Sequence, residues 1–374
     1  MHESDWDTST AAIFHRIREL RESEIPAVLA TITSVHGSSY RRPGAKMLIT
    51  ADGTDIGSVS AGCLEDQILA LATDVIAKDA PRIETFDLME DDDIWGLGIG
   101  CNGIIDVLLE PVDDVHADVS RALLEDQIVL TATLFKQDGP SSRVQVGIAE
   151  DAIQPAVDAP EWVEYVREMG EVALNSGQSM TRVISMENSE RSVFFDVIRP
   201  PPTLLVLGSG NDVSPVVDLG SNSGFQTVVA GFRGASVAPD KFPRAQKVLT
   251  TNPISIGEAI EITPDTYTVV MSHNFVDDQL ALAALLDSPT PYIGLMGPRE
   301  RYEELAEALA DEGRSIGPED EARIYAPVGL DLGGGTPYQI ALSIVGEVLA
   351  VNNDQSGSHL AVRDGPIHAR PPGT

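Results

Sequence analysis

Thr203-Leu-Leu-Val-Leu207 is a short continuous apolar run that passes directly into the glycine turn Gly208-Ser-Gly-Asn-Asp-Val213. Strands that are apolar at successive positions are buried on both faces, the situation in parallel sheets covered by helices. The pattern continues downstream, with strand-like runs at 227–230, 268–271 and 292–295 and helical periodicity at 275–286, 299–311 and 336–350. Such alternation restricts the second half to a doubly wound, Rossmann-like parallel sheet. Pro200-Pro-Pro202 excludes helix and sheet interior just before it and reads as a stiff spacer. The expected division is therefore 1–199, a linker at 200–202, the Rossmann-like unit at 203–351, and a disordered tail at 352–374 rich in Gly, Pro and Asp.

The first half lacks regular βαβ alternation and reads as mixed α+β. Ile13, Ile17 and Leu20 share one face of an opening helix. Strand-like runs follow at 27–33, 47–50, 83–86, 104–110, 129–135, 143–148 and 192–198, with helices at 62–75, 114–125 and 161–175. Asp52-Gly53 reads as a hairpin turn.

The only two cysteines of the 374 residues both lie in glycine-rich turns: Cys63 in Gly57-Ser-Val-Ser-Ala-Gly-Cys-Leu-Glu65, and Cys101 in Gly96-Leu-Gly-Ile-Gly-Cys-Asn-Gly103. Two readings stand for them. They are small, inert core residues, or they are thiolates that can attack or ligate a soft metal. On the second reading Gly98, Gly100 and Gly103 let a ligand approach the backbone beside Cys101. Cys63, at the start of a helix, would have its thiolate favoured by the helix dipole. Arg41, Arg42 and Lys46 cluster within six residues of a chain that has only 25 basic side chains. They either balance local charge or form an anion-binding loop suited to phosphate.

In the second half Gly208 and Gly210 begin a dinucleotide fingerprint, but Val213 holds the place of its third glycine. The end of the second strand, where an acid would bind the ribose, reads Ala230-Gly-Phe-Arg233. Arg233 is placed to meet a 2′-phosphate, so NADP stays open while a tight NAD site is not expected. Asn211, in the same turn, and His273, directly after a strand, lie at the carboxyl edge where such sheets bind ligands. His273 reads equally as a base or ligand contact and as a structural histidine.

The formal charge of −33, from 58 acidic against 25 basic side chains, excludes nucleic acid and anionic membranes as partners. The acids are interleaved with periodic apolar residues, which reads as a folded, salt-adapted acidic surface. Glu90-Asp-Asp-Asp93 belongs to that surface rather than to a metal site. No uncharged apolar run approaches the ~18 residues of a membrane helix, and the N-terminus has no signal-peptide pattern. Two cysteines suit a reducing cytoplasm.

These stretches together resemble the XdhC/CoxI family of xanthine dehydrogenase accessory proteins. The match runs over roughly 20–350 and rests on Gly44-Ala-Lys-Met47, Gly57-Ser-Val-Ser60 with Gly62-Cys63 and Glu65, and Gly98-Ile-Gly-Cys-Asn-Gly103 with Glu110-Pro111. It continues in Leu207-Gly-Ser-Gly-Asn211, Ser272-His273, Tyr292-Ile-Gly-Leu295 with Arg299, and Gly329-Leu-Asp-Leu332 with Thr336-Pro337. Gly231 departs from it, where the family often has an acid, and so does Tyr40, where a proline is common. The resemblance implies a maturation factor that binds molybdenum cofactor (molybdopterin), assists its sulfuration and delivers it to an apo molybdenum hydroxylase. A cysteine desulfurase is an expected partner, and a homodimer is expected from the general frequency of twofold assemblies. On this reading Cys101 contacts molybdenum, Cys63 serves sulfur exchange, and Arg41 and Lys46 hold the cofactor phosphate. The competing hypotheses are an NADP-dependent oxidoreductase built on the second half and a nucleotide-sensing module without chemistry.

Overall fold

The computed structural model describes residues 10–37, 39–53, 55–60, 62, 64–88, 103–136, 139–147, 153–154, 160–186, 189–232 and 237–362. The chain divides into two compact units between Pro200 and Pro201. The proline run is not wholly a spacer: the carbonyl of Pro202 accepts the N–H of Gln226 at 2.9 Å, which builds Pro202 into the second unit.

The first unit contains the same sequence of elements twice. The first series is α1 (Thr10–Glu22), β1 (Ala27–Gly37), β2 (Lys46–Thr50), β3 (Asp55–Gly57), α2 (Glu65–Lys78), β4 (Arg82–Asp87) and β5 (Gly103–Pro111). The second is α3 (Asp114–Leu124), β6 (Val129–Lys136), β7 (Gly139–Gly147), β8 (Ile153–Gln154), α4 (Pro160–Ser176), β9 (Met180–Met186) and β10 (Ser189–Ile198). The sheets repeat as well, with strand orders β3-β2-β1-β5-β4 and β8-β7-β6-β10-β9. Every pairing in both is antiparallel.

Alternation along the strands explains the layers. Val28, Ala30, Ile49, Val107 and Leu109 turn one face of the first sheet onto Ile68, Ala72 and Val75 of α2. Leu130, Ala132, Val193 and Phe195 turn one face of the second sheet onto Val166 and Ala173 of α4. The opposite faces meet each other through Leu108, Phe135 and Phe194. Helices α1 and α3 close that layer with Phe14, Ile17, Val119 and Leu123.

The second unit comprises β11 (Thr203–Leu207), α5 (Val213–Asn222), β12 (Gln226–Gly231), β13 (Lys247–Thr250), α6 (Ile256–Ala259), β14 (Thr266–Val270), α7 (Phe275–Leu286), β15 (Tyr292–Leu295), α8 (Arg299–Asp311), α9 (Pro318–Glu321), β16 (Ile324–Tyr325) and α10 (Pro337–Asn352). Its sheet order is β13-β12-β11-β14-β15-β16, and every pairing is parallel. Helices α5 and α10 cover one face and α7 and α8 the other. This is the doubly wound sheet expected, with its switch point between β11 and β14. The expected tail needs correction at its start. Helix α10 runs through Asn352, and Gly357 lies so close to Leu330 that an added Cβ would come within 2.7 Å of it. Among the described residues no helix is long and apolar enough to cross a membrane.

Candidate functional site

Register places three loop roots at one end of the first sheet. β1 ends at Gly37, opposite Gly103 at the start of β5. β4 ends at Asp87, opposite Ile104. Met47, near the start of β2, faces Gly57 at the end of β3. The segments that carry Arg41 and Arg42, Cys63, and Cys101 therefore all spring from this end. Cys63, Cys101, Gly98 and Gly100 themselves lie outside the described residues. Gly103 is described and forms the first pair of β5. In the second copy the corresponding strand connections shrink to 137–138 and 187–188, against 38–45 and 88–102 in the first. These two connections are long only in the first copy.

The roots are built firmly. Gly44 (φ +91°) and Gly57 (φ +89°) adopt left-handed backbone conformations. A Cβ on Gly44 would stand 2.5 Å from the Ser179 hydroxyl oxygen, and one on Gly57 2.5 Å from the Lys46 carbonyl oxygen. Only glycine meets both the dihedral and the space requirement there. Glu65, at the start of α2, ties the Cys63 turn together. Its carboxylate accepts from the hydroxyls of Ser58 at 3.0 Å and Ser60, and from the N–H of Leu64 at 3.1 Å. The Ser60 hydroxyl oxygen in turn accepts the N–H groups of Gly62 and Leu64, each at 3.2 Å. Burial acts to raise the Glu65 pKa, but the bonds from Ser60, Ser58 and the backbone outweigh it and hold it below the ordinary 4.5.

That shift has a testable sign. A lowered folded-state pKa contributes stability above the unfolded value, and the contribution is lost as pH falls through the folded one. Glu65→Gln should therefore cost about 1 kcal/mol at neutral pH, discounted for partial exposure. The difference from the parent should close as pH falls below 4.5. Chemical denaturation across that range measures it, and pH-independent parallel curves would contradict the assignment.

Arg41 is half-buried on the β1–β2 loop and makes no ion pair among the described residues, while Arg42 is exposed beside it. Lys46 corrects the sequence reading. It does not point outward with Arg41. Its ammonium is 2% exposed and lies 2.7 Å from the Asp196 carboxylate of β10, itself 8% exposed. It also donates to the Gly44 carbonyl at 2.9 Å. Ser179 donates to the other Asp196 oxygen at 2.9 Å. Lys46 thus pins the loop root to the second sheet. A lysine two residues after a glycine has the same sequence signature in either role, so no local cue separates the two. The cavity between the sheets beside this pair measures about 20 Å³, room for about one water and far too small for a cofactor.

In the second unit Gly208, Gly210 and Asn211 form the turn after β11, and His273 follows β14 across the switch point. His273 has φ 58°, outside the usual range for its residue type, and its Nε2 lies 2.8 Å from an Asp212 carboxylate oxygen. Arg233 lies outside the described residues. Ser272, which the sequence reading left without a role, donates to the buried Asp278, which also accepts Arg301. Among the described residues no group of three or more His, Cys, Asp or Glu could hold a metal.

A duplicated antiparallel unit with one elaborated loop end, followed by a Rossmann unit, defines the class of protein. Two family models match in order: the XdhC and CoxI family over residues 20–87, and the XdhC Rossmann domain over residues 204–348. The crystal structure of a xanthine dehydrogenase from Bacillus halodurans matches with a TM-score of 0.77 at 31% identity, covering 93% of this chain and 98% of that one. A probable xanthine dehydrogenase subunit from Bacillus subtilis is 29% identical over 343 residues, 90% of this chain and 96% of the relative. YqeB of Escherichia coli is 30% identical over 167 residues, 44% of this chain and 30% of that protein. The chain belongs to the XdhC and CoxI family.

Proposed function

We propose that this protein is an accessory factor to a xanthine dehydrogenase-type molybdenum hydroxylase, and that it binds molybdenum cofactor, assists its sulfuration and passes it to the apo-enzyme. The observation that carries this reading is the register of the first sheet, which gathers the Arg41, Cys63 and Cys101 loops at one end. The residue types fit the cofactor: guanidinium for its phosphate, thiolate for a metal that accepts sulfur ligands. Arg41 and Arg42 would hold the phosphate and Cys101 would face the metal. Cys63 would handle the sulfur on a turn that Glu65 keeps in shape. When bound, the cofactor would supply the molybdenum centre of the client enzyme. This chain contributes binding, orientation and a thiol.

The test is the ligand that copurifies from cells making molybdenum cofactor. A pterin with molybdenum is expected; a dinucleotide, or nothing, would refute the reading. Arg41→Ala should retain roughly ten- to a hundredfold less, because a charge-assisted phosphate bond is worth about 1.5–3 kcal/mol. Unchanged retention would leave Arg41 only a charge-balancing role.

A further inference from the structure

The switch point of the second sheet is where doubly wound folds bind dinucleotides, yet here the chain's own groups stand at its key positions. The second glycine of a dinucleotide fingerprint leaves its Cα bare so that the diphosphate can approach. Here the Asp212 carboxylate covers the bare side of Gly210: a Cβ built there would lie 2.2 Å from Asp212 Oδ1 and 3.5 Å from the His273 ring. The other Asp212 oxygen is held by His273 Nε2 at 2.8 Å. The space a Cβ of residue 210 would fill is taken by the Asp212 carboxylate.

The two remaining positions follow the same logic. Gly231 ends β12 where a ribose-binding acid would stand, and a Cβ there would come within 2.1 Å of Val237 Cγ2. Gly208 keeps its Cα clear for the Met271 carbonyl, 2.3 Å from an added Cβ. Asp212 sits at the N-cap of α5 without making a side-chain capping bond. Its negative charge therefore faces the place where the helix would otherwise attract an anion. A cation at this turn donates to the turn's own backbone, Lys241 Nζ to the Ser209 carbonyl at 2.5 Å.

We propose that Asp212, docked on His273, is the specificity gate of this crevice: its carboxylate occupies the diphosphate position and keeps out dinucleotides and free diphosphate. The left-handed backbone of His273 is the strained element that presents the ring to Asp212. The gate does not depend on the function proposed for the first unit.

The experiment is calorimetric titration of the full chain with inorganic pyrophosphate and with NAD, in the parent and in Asp212→Asn and Asp212→Ser, each checked for folding by thermal melting. The parent should bind neither up to about 1 mM. Both variants should bind pyrophosphate at least about tenfold more tightly than the parent limit, while NAD, which finds no acid for its ribose at Gly231, should stay unbound. His273→Ala, which releases the carboxylate from its place over Gly210 but keeps its charge, should also admit pyrophosphate, more weakly than the Asp212 variants. Micromolar binding of either ligand by the parent would overturn the proposal. So would two folded Asp212 variants with unchanged pyrophosphate affinity.

Discussion

Lys46→Met should destabilise the first unit by about 3–5 kcal/mol, because it leaves the Asp196 carboxylate buried without its counter-ion. The two side chains are 2% and 8% exposed, so water cannot compensate. Lys46→Met combined with Asp196→Asn should recover most of the loss. The asparagine keeps an oxygen for the Ser179 hydroxyl, now 2.9 Å from Asp196 Oδ1, and removes the charge. Denaturant unfolding followed by tryptophan fluorescence isolates the effect, since Trp6, Trp95 and Trp162 all precede Pro200. A double variant no more stable than Lys46→Met alone would show that the charge is not the source of the penalty. The same single variant should also weaken cofactor retention, because the Lys46 ammonium bonds the Gly44 carbonyl at the root of the arginine loop.

The second large effect concerns the cysteines. Cys101→Ser should lower the molybdenum retained by at least about tenfold, a contact of ~1.4 kcal/mol or more. Cys63→Ser should leave retention nearer the parent value and reduce the sulfurated cofactor delivered to the client. The basis is the proposed division of roles between two loops rooted at one sheet end, one rich in glycine and one braced by Glu65. Molybdenum analysis of the purified variants, together with activation of the apo-hydroxylase, separates the two roles. Parent-like values for both variants would return both thiols to the inert class.

Sequence by itself determined the class of the second unit and four of its six strands, leaving out β13 and β16. Thr203-Leu-Leu-Val-Leu207 and its counterparts are local signals, each strand apolar at successive positions and each helix periodic. The helices at 275–286 and 299–311 coincide with α7 and α8. The alternation left little freedom of topology, because parallel strands need helical crossovers of one hand. The glycine-cysteine stretches and the arginine loop stand out in the sequence as local patterns, and the strand register roots all three at one sheet end.

Tertiary structure alone decided the rest. The duplication in the first unit is not marked by loop length, because connections of 38–45 and 88–102 in one copy correspond to 137–138 and 187–188 in the other. What repeats is strand order, set by long-range pairing such as that of Gly37 with Gly103. The partner of Lys46 lies 150 residues away on β10, and no spacing rule connects them. Gly210 looked like an invitation to a diphosphate until the Asp212 carboxylate was found against it, held by a histidine from the next strand's loop. Residue type sets what a side chain can do, but the neighbour that engages it is supplied by packing across the sheet.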